Sequence, residues 1–167
     1  MGMDLYQQNQ TYKAAIDQAS QTLELDLPKL YFDADHAEQL SETRYAQAAI
    51  VAMSWALYKT VQSQLPAVVA GIGLSLGEYS ALAASGCVDI DDALRLVKLR
   101  GELMQQASDA KPSKMVAIMN TPLSVIQAAC DAATVKGIVA IANINTPKQV
   151  VIGGETAAVD AARSEEH

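Results

Sequence analysis

Apolar residues recur at helical spacing through the first sixty positions, and then the rhythm changes. Leu5, Tyr12, Ile16 and Ala19 are the apolar positions of a helix predicted over residues 3–22. Asp35-His36-Ala37-Glu38 has the form of an N-cap followed three residues later by its reciprocal acid, which predicts a short helix opening there. Tyr45, Ala48, Ala49, Ala52, Trp55 and Ala56 make one stripe on a longer helix over 43–64, and Pro66 ends it. Residues 67–74 are apolar on both faces of an extended chain, the pattern of a buried strand. A short helix over 76–85 stops at Gly86, and Asp89 caps another over 90–107.

Beyond that point strands and helices alternate. Lys114–Met119 reads as a strand. Thr121-Pro122, an N-cap with proline at the first helical position, opens a helix to about 133. Ile138–Ile144 and Gln149–Ile152 read as strands, and Thr156–Arg163 as a helix. The order β-α-β-β-α is that of a ferredoxin-like unit without its final strand. The change of rhythm puts a boundary within Asp109–Ser113, giving one lobe over 1–110 and a smaller one over 111–167.

Two features carry candidate chemistry. Gly73-Leu74-Ser75-Leu76-Gly77 lies between the predicted strand and a helix, the context in which G-x-S-x-G forms a nucleophile elbow. The turn is sharp, so glycine is expected on both sides of a strained Ser75. The Leu76 amide at the helix start is then free to donate to an oxyanion. A Gly-rich phosphate loop is a poorer reading, because the Lys-Ser/Thr of that motif is missing. The second feature is Arg100, which shares a helical face with Ala93, Val97 and Met104, with Leu96 beside them. An arginine in an apolar stripe is costly unless an anion meets it, and its planar fork matches a carboxylate. Snorkelling to the surface, or pairing with a structural acid, is the plainer reading.

Composition narrows the classes. Half the chain is hydrophobic, so a core is expected rather than disorder. The net charge of −7 and the absence of any Lys/Arg run disfavour non-specific nucleic-acid binding. The two cysteines, Cys87 and Cys130, have no metal-ligand spacing and read as buried free thiols in a reducing cytoplasm. The first residues lack the basic and apolar regions of a signal peptide, and no apolar run is long enough to span a bilayer, so no membrane partner is expected.

The elbow sequence Gly73-Leu74-Ser75-Leu76-Gly77-Glu78-Tyr79-Ser80-Ala81-Leu82 resembles the active-site motif of the malonyl-CoA:acyl carrier protein transacylase family, although many members have His where Leu74 stands. The resemblance continues through Gly2-Met3-x-Leu5-Tyr6, Thr43-x-x-x-Gln47, Arg100-Gly101-x-x-Met104-Gln105 and Asn143-x-Asn145-x-Pro147-x-Gln149-Val150-Val151-Ile152. It departs at Ala48, where the family usually has proline. It implies an α/β fold: a hydrolase-like lobe with a nucleophile elbow and an inserted ferredoxin-like small lobe, both incomplete. It further implies malonyl transfer from malonyl-CoA to the phosphopantetheine thiol of acyl carrier protein, through a malonyl-serine on Ser75, in the cytoplasm and in fatty acid biosynthesis. No cofactor is implied. Arg100 falls on the malonate-binding arginine and Gln47 lines the pocket, though a solvated surface glutamine fits as well. Asn143 and Asn145 orient substrate or cap the turn before Pro147, and Gln149 is a weaker candidate of the same kind.

The resemblance also implies a base, a histidine preceded by Phe, and an upstream Gly-Gln-Gly-x-Gln motif for the oxyanion hole. Neither occurs here. His36 reads as a solvated residue at a helix start and His167 as a frayed terminus, so neither reads as a base. The chain is therefore expected to be an internal part of a longer protein and inactive alone. A serine esterase or lipase, a polyketide-type acyltransferase domain, and a non-catalytic binding lobe are the alternatives.

Overall fold

A computed structural model describes residues 2–165 of the chain, so His167 lies outside the described residues. It divides into two compact units, one ending at Gln106 and the other beginning at Ala107.

Among the described residues the first unit contains helices and no strand. The predicted helix over 3–22 is two helices, α1 (Met3–Gln8) and α2 (Gln10–Leu23). Asn9 separates them because its side chain, in extended backbone, accepts a hydrogen bond from the Tyr12 amide at 3.0 Å. Glu24 ends α2 in the left-handed conformation, and Asp26 caps α3 (Leu27–Phe32) through the Lys29 amide. The cap expected at Asp35 is at Asp33, whose carboxylate accepts from the Asp35 amide at 3.0 Å. A 3₁₀ turn over Ala34–His36 follows and leads into α4 (Ala37–Ser41). His36 is partly buried, with Nδ1 3.4 Å from the Asp33 carboxylate, rather than solvated.

Helix α5 (Thr43–Val61) buries Gln47, Ala48, Ala49, Val51, Ala52 and Ala56. Alanine on this stripe lets the helix approach α2, whose Tyr12, Ile16 and Leu23 are fully buried with it. Burying Ile16 and Leu23 contributes about 1.5–3 kcal/mol each. Short α6 (Gly77–Ala84) ends at Gly86, whose φ of 76° continues into a Cys87 amide bonded to the Leu82 carbonyl. Helix α7 (Ile90–Ala110) buries Ile90, Ala93, Leu94, Val97 and Gly101. Leu96, predicted to lie beside this stripe, is half exposed, and its place is taken by Leu94 and Gly101.

Residues 67–74 form no strand. Val69 is 98% exposed and Ile72 is 97% exposed. A strand needs a neighbour to take its backbone N–H and C=O groups, and the described residues of this unit supply none. The pattern that predicted burial on both faces thus describes a segment open to solvent. Cys87 is likewise exposed, which corrects the expectation of two buried thiols; Cys130 is buried, and that burial pushes its thiol pKa up.

The second unit is a three-stranded antiparallel sheet covered by helices on one face. Strands β1 (Ser113–Met119), β2 (Val139–Thr146) and β3 (Gln149–Glu155) lie in the order β1-β3-β2. Val116 and Ile141 flank Ile152 across the sheet. Helices α8 (Leu123–Ala133) and α9 (Thr156–Glu165) bring Ile126, Cys130, Val159 and Ala162 onto Ile118, Val139, Val150 and Ile152. The N-cap of α8 is Pro122, not Thr121, whose hydroxyl donates back to the Met119 carbonyl at 3.4 Å. With these helices on a strand framework the chain is an α/β fold.

Candidate active site

Ser75 sits two residues before α6 with φ 54°, a left-handed conformation that a residue with a side chain seldom adopts. The turn is closed by the Gly77 amide donating to the Leu74 carbonyl at 2.9 Å and the Glu78 amide donating to the Ser75 carbonyl at 3.2 Å. It is tight on one side only. A Cβ on Gly73 would run into the Gly77 carbonyl and the Glu78 nitrogen, so no side chain fits there. A Cβ on Gly77 would meet nothing within 4 Å, so the expected requirement for glycine on both sides holds for Gly73 alone. The amides of Gly77, Glu78 and Tyr79 are taken by the carbonyls of Leu74, Ser75 and Leu76. The Leu76 amide has no such partner among the described residues.

Arg100 reaches this elbow from α7. Its Nη2 donates to Ser75 Oγ at 2.9 Å, and its Nη1 donates to Gln47 Oε1. Gln47 Nε2 donates in turn to Met104 Sδ at 3.2 Å. Arg100 and Met104 are one helical turn apart on α7 and hold the two ends of one amide on α5. Gln47 is 5% exposed, which removes the reading of a solvated surface glutamine. Arg100 is partly buried, and among the described residues it pairs with no carboxylate. The structural-acid reading therefore finds no partner among the described residues. A guanidinium with one edge on a serine hydroxyl and no carboxylate partner among the described residues can take an anionic group beside that hydroxyl. Among the described residues, no histidine or carboxylate hydrogen-bonds to Ser75, and no cluster of His, Cys, Asp or Glu is arranged to hold a metal ion.

The acyl transferase domain family matches residues 1–165. The chain belongs to the acyl transferase family. It is 37% identical over 163 residues to the malonyl CoA-acyl carrier protein transacylase of Bacillus subtilis (strain 168), covering 97% of this chain and 51% of that protein. Crystalline MCAT from Streptococcus pneumoniae matches with a TM-score of 0.88 at 48% identity, over 99% of this chain and 53% of that one. A malonyl-transacylase in complex with its type II PKS acyl-carrier protein matches with a TM-score of 0.90 at 35% identity, over 99% of this chain and 54% of that one. The chain thus spans about half the length of the curated relatives it matches.

The remaining candidates of this acyl transferase chain form a separate group in the second unit. Asn145 Nδ2 donates to Gln149 Oε1 at 3.0 Å across the β2–β3 turn, and Gln149 Nε2 donates to Met119 Sδ at 3.4 Å. Asn143 is exposed and pairs with Val151 through the backbone, beside a register shift in β2. The turn before Pro147 is capped by Thr146, whose hydroxyl accepts from the Lys148 amide at 3.1 Å, and not by either asparagine. Neither Met104 nor Thr146 was a site candidate in the sequence. Among the described residues no helix is long and apolar enough to cross a membrane.

Proposed function

We propose that this chain carries the acyl-bearing serine of a malonyl transferase: malonyl passes from malonyl-CoA to Ser75 and then to the phosphopantetheine thiol of acyl carrier protein. The observation that carries the reading is the Arg100 guanidinium on Ser75 Oγ at 2.9 Å, fixed from behind by Gln47. Ser75 Oγ attacks the thioester carbonyl and loses its proton as the C–O bond forms. The Leu76 amide donates to the resulting oxyanion, and the C–S bond breaks to release the CoA thiol. The carrier's thiol then attacks the serine ester, and Ser75 recovers its proton. Arg100 holds the free carboxylate of malonate throughout, which uncharged acyl groups lack. Asn143, Asn145 and Gln149 are the further substrate-binding candidates of this reading. No cofactor enters, and the setting is cytoplasmic fatty acid synthesis.

The same reading makes the first unit part of a hydrolase-like lobe and the second part of a ferredoxin-like lobe. With no histidine or carboxylate on Ser75 among the described residues, residues 1–167 alone transfer slowly. Removing the base from a serine–histidine unit costs several orders of magnitude in rate. Two measurements test this. Mass spectrometry after incubation of the full-length protein with malonyl-CoA should find the malonyl adduct on Ser75; an adduct elsewhere with Ser75 unmodified sinks the assignment. A malonyl-transfer assay on chain 1–167 beside the Bacillus subtilis relative should show turnover far below it; equal turnover means that a residue of this chain serves as base.

A further inference from the structure

We infer that Gly101 is a positioning residue for Arg100, its missing side chain setting how closely α7 approaches the first turn of α5 and hence where the guanidinium stands beside Ser75. Gly101 is buried in the interior of α7, where glycine is the poorest helix former after proline. A Cβ built there would lie 3.0 Å from the Thr43 carbonyl oxygen and 3.2 Å from the Cα and carbonyl oxygen of Arg44. All three are backbone atoms of α5, which cannot swing aside as the end of a side chain can. The methyl of alanine therefore fits only if the two helices part by a few tenths of an ångström.

That parting falls on the site. Gln47 lies one turn beyond Thr43 on α5, and Arg100 and Met104 flank Gly101 on α7. Backbone contact and side-chain clamp are neighbouring parts of one helix–helix seam. When the seam opens, Gln47 moves with α5 and the guanidinium with α7, so the fork no longer stands at its distance from Ser75 Oγ. Bidentate capture of a carboxylate tolerates only about 0.5 Å of misplacement. The other two glycines of the unit with open surroundings, Gly77 and Gly86, impose no such spacing. This role rests on reading Arg100 as the site of the substrate carboxylate.

The test offers malonyl-CoA and acetyl-CoA together to the full-length protein and reads the ratio of the two adducts on Ser75 by mass. Because both esters compete for the same molecules, the ratio does not depend on how much of a variant is folded. Gly101→Ala should lower the malonyl-to-acetyl ratio about tenfold. In an Arg100→Ala background it should lower the ratio no further, because the guanidinium it positions is gone. The thermal midpoint of Gly101→Ala should fall, where the same change at an open helical site raises it. An unchanged ratio, effects of the two substitutions that multiply, or a raised midpoint each overturn the inference. Labelling of Ser75 by neither ester in the unsubstituted protein overturns the reading of Ser75 and Arg100 instead, and the role of Gly101 with it.

Discussion

The contact between α5 and α7 and the segment from Leu65 to Leu74 lie in the same unit and resolve opposite chemistry in opposite ways. In the contact, an amide and a guanidinium sit against buried alanine and valine, yet the described polar atoms of Gln47 are met by Arg100 and Met104. In the segment, Val68, Val69, Ile72 and Leu74 have no polar atom to satisfy and stand in solvent. Val68, Val69 and Ile72 border a groove of about 700 Å³ whose far wall is Trp55, Tyr58, Ser80 and Ala81. Helices supply their own backbone hydrogen bonds, so a polar clamp between two of them can be completed locally. An extended segment has no such supply. Its burial waits on a neighbouring strand, whatever its side chains favour.

The strongest way to break the comparison is at Arg100. Arg100→Ala removes the group that meets Gln47 and, in the proposed function, the substrate carboxylate. Malonyl transfer by the full-length protein should fall by about 2–4 kcal/mol in transition-state terms, the scale of a lost charge-assisted pair, with acetyl transfer affected much less. An equal fall for both acyl groups would make Arg100 a structural residue. Stability should show the cost of the stranded amide: adding Gln47→Leu to Arg100→Ala should restore part of the lost stability in denaturant unfolding, because removing both partners of a buried pair costs less than removing one.

What the sequence made legible follows the same line. The first unit's helices were readable because periodicity and caps are local, and Gly86 and Pro66 marked two ends. The miscast caps at Asp35 and Thr121 each lay within two residues of the true one, where Asp33 and Pro122 competed with equal local claims. Arg100 was legible as an anomaly in an apolar stripe, and the elbow as a motif in context. Leu96 was misplaced because a stripe drawn around Arg100 is rotated from the one that α7 buries. The strand over 67–74 could not be read correctly from composition, since apolar content reports what a segment would bury and not whether a partner is present. Gln47 was undecidable for a related reason: its partners, Arg100 and Met104, stand on a second helix far along the chain.

A smaller effect separates two glycines that the motif treats alike. Gly73→Ala places a methyl on the Gly77 carbonyl and the Glu78 nitrogen, and should destabilise the first unit by about 1–3 kcal/mol or more, as overpacking does. Gly77→Ala adds its methyl in open space at the first position of α6, where alanine is the better helix former. It should leave stability unchanged or raise it by up to about 1 kcal/mol. Chemical denaturation of the two variants side by side checks this, and equal losses would mean that the elbow is tight on both sides after all.

The smallest expected change in stability lies in the exposed segment, and it is the sharpest test of the contrast. Val69 and Ile72 are almost wholly in water, so replacing both with serine removes no buried area. The thermal midpoint of chain 1–167 should shift by an amount equivalent to no more than about 0.5 kcal/mol, the range of substitutions that touch nothing. Buried branched residues of this size would instead lose several times that on truncation. The solution behaviour should move in the other direction. An extended apolar segment with free backbone groups is a template for pairing with another chain, and polar side chains blunt it. Light scattering at matched concentration should therefore show less association for the Val69→Ser/Ile72→Ser protein than for the unsubstituted chain. A large loss of midpoint would show that the segment is packed in solution. Its hydrophobicity would then have been a true sign of burial, and the difference between it and the Gln47–Arg100 contact would disappear.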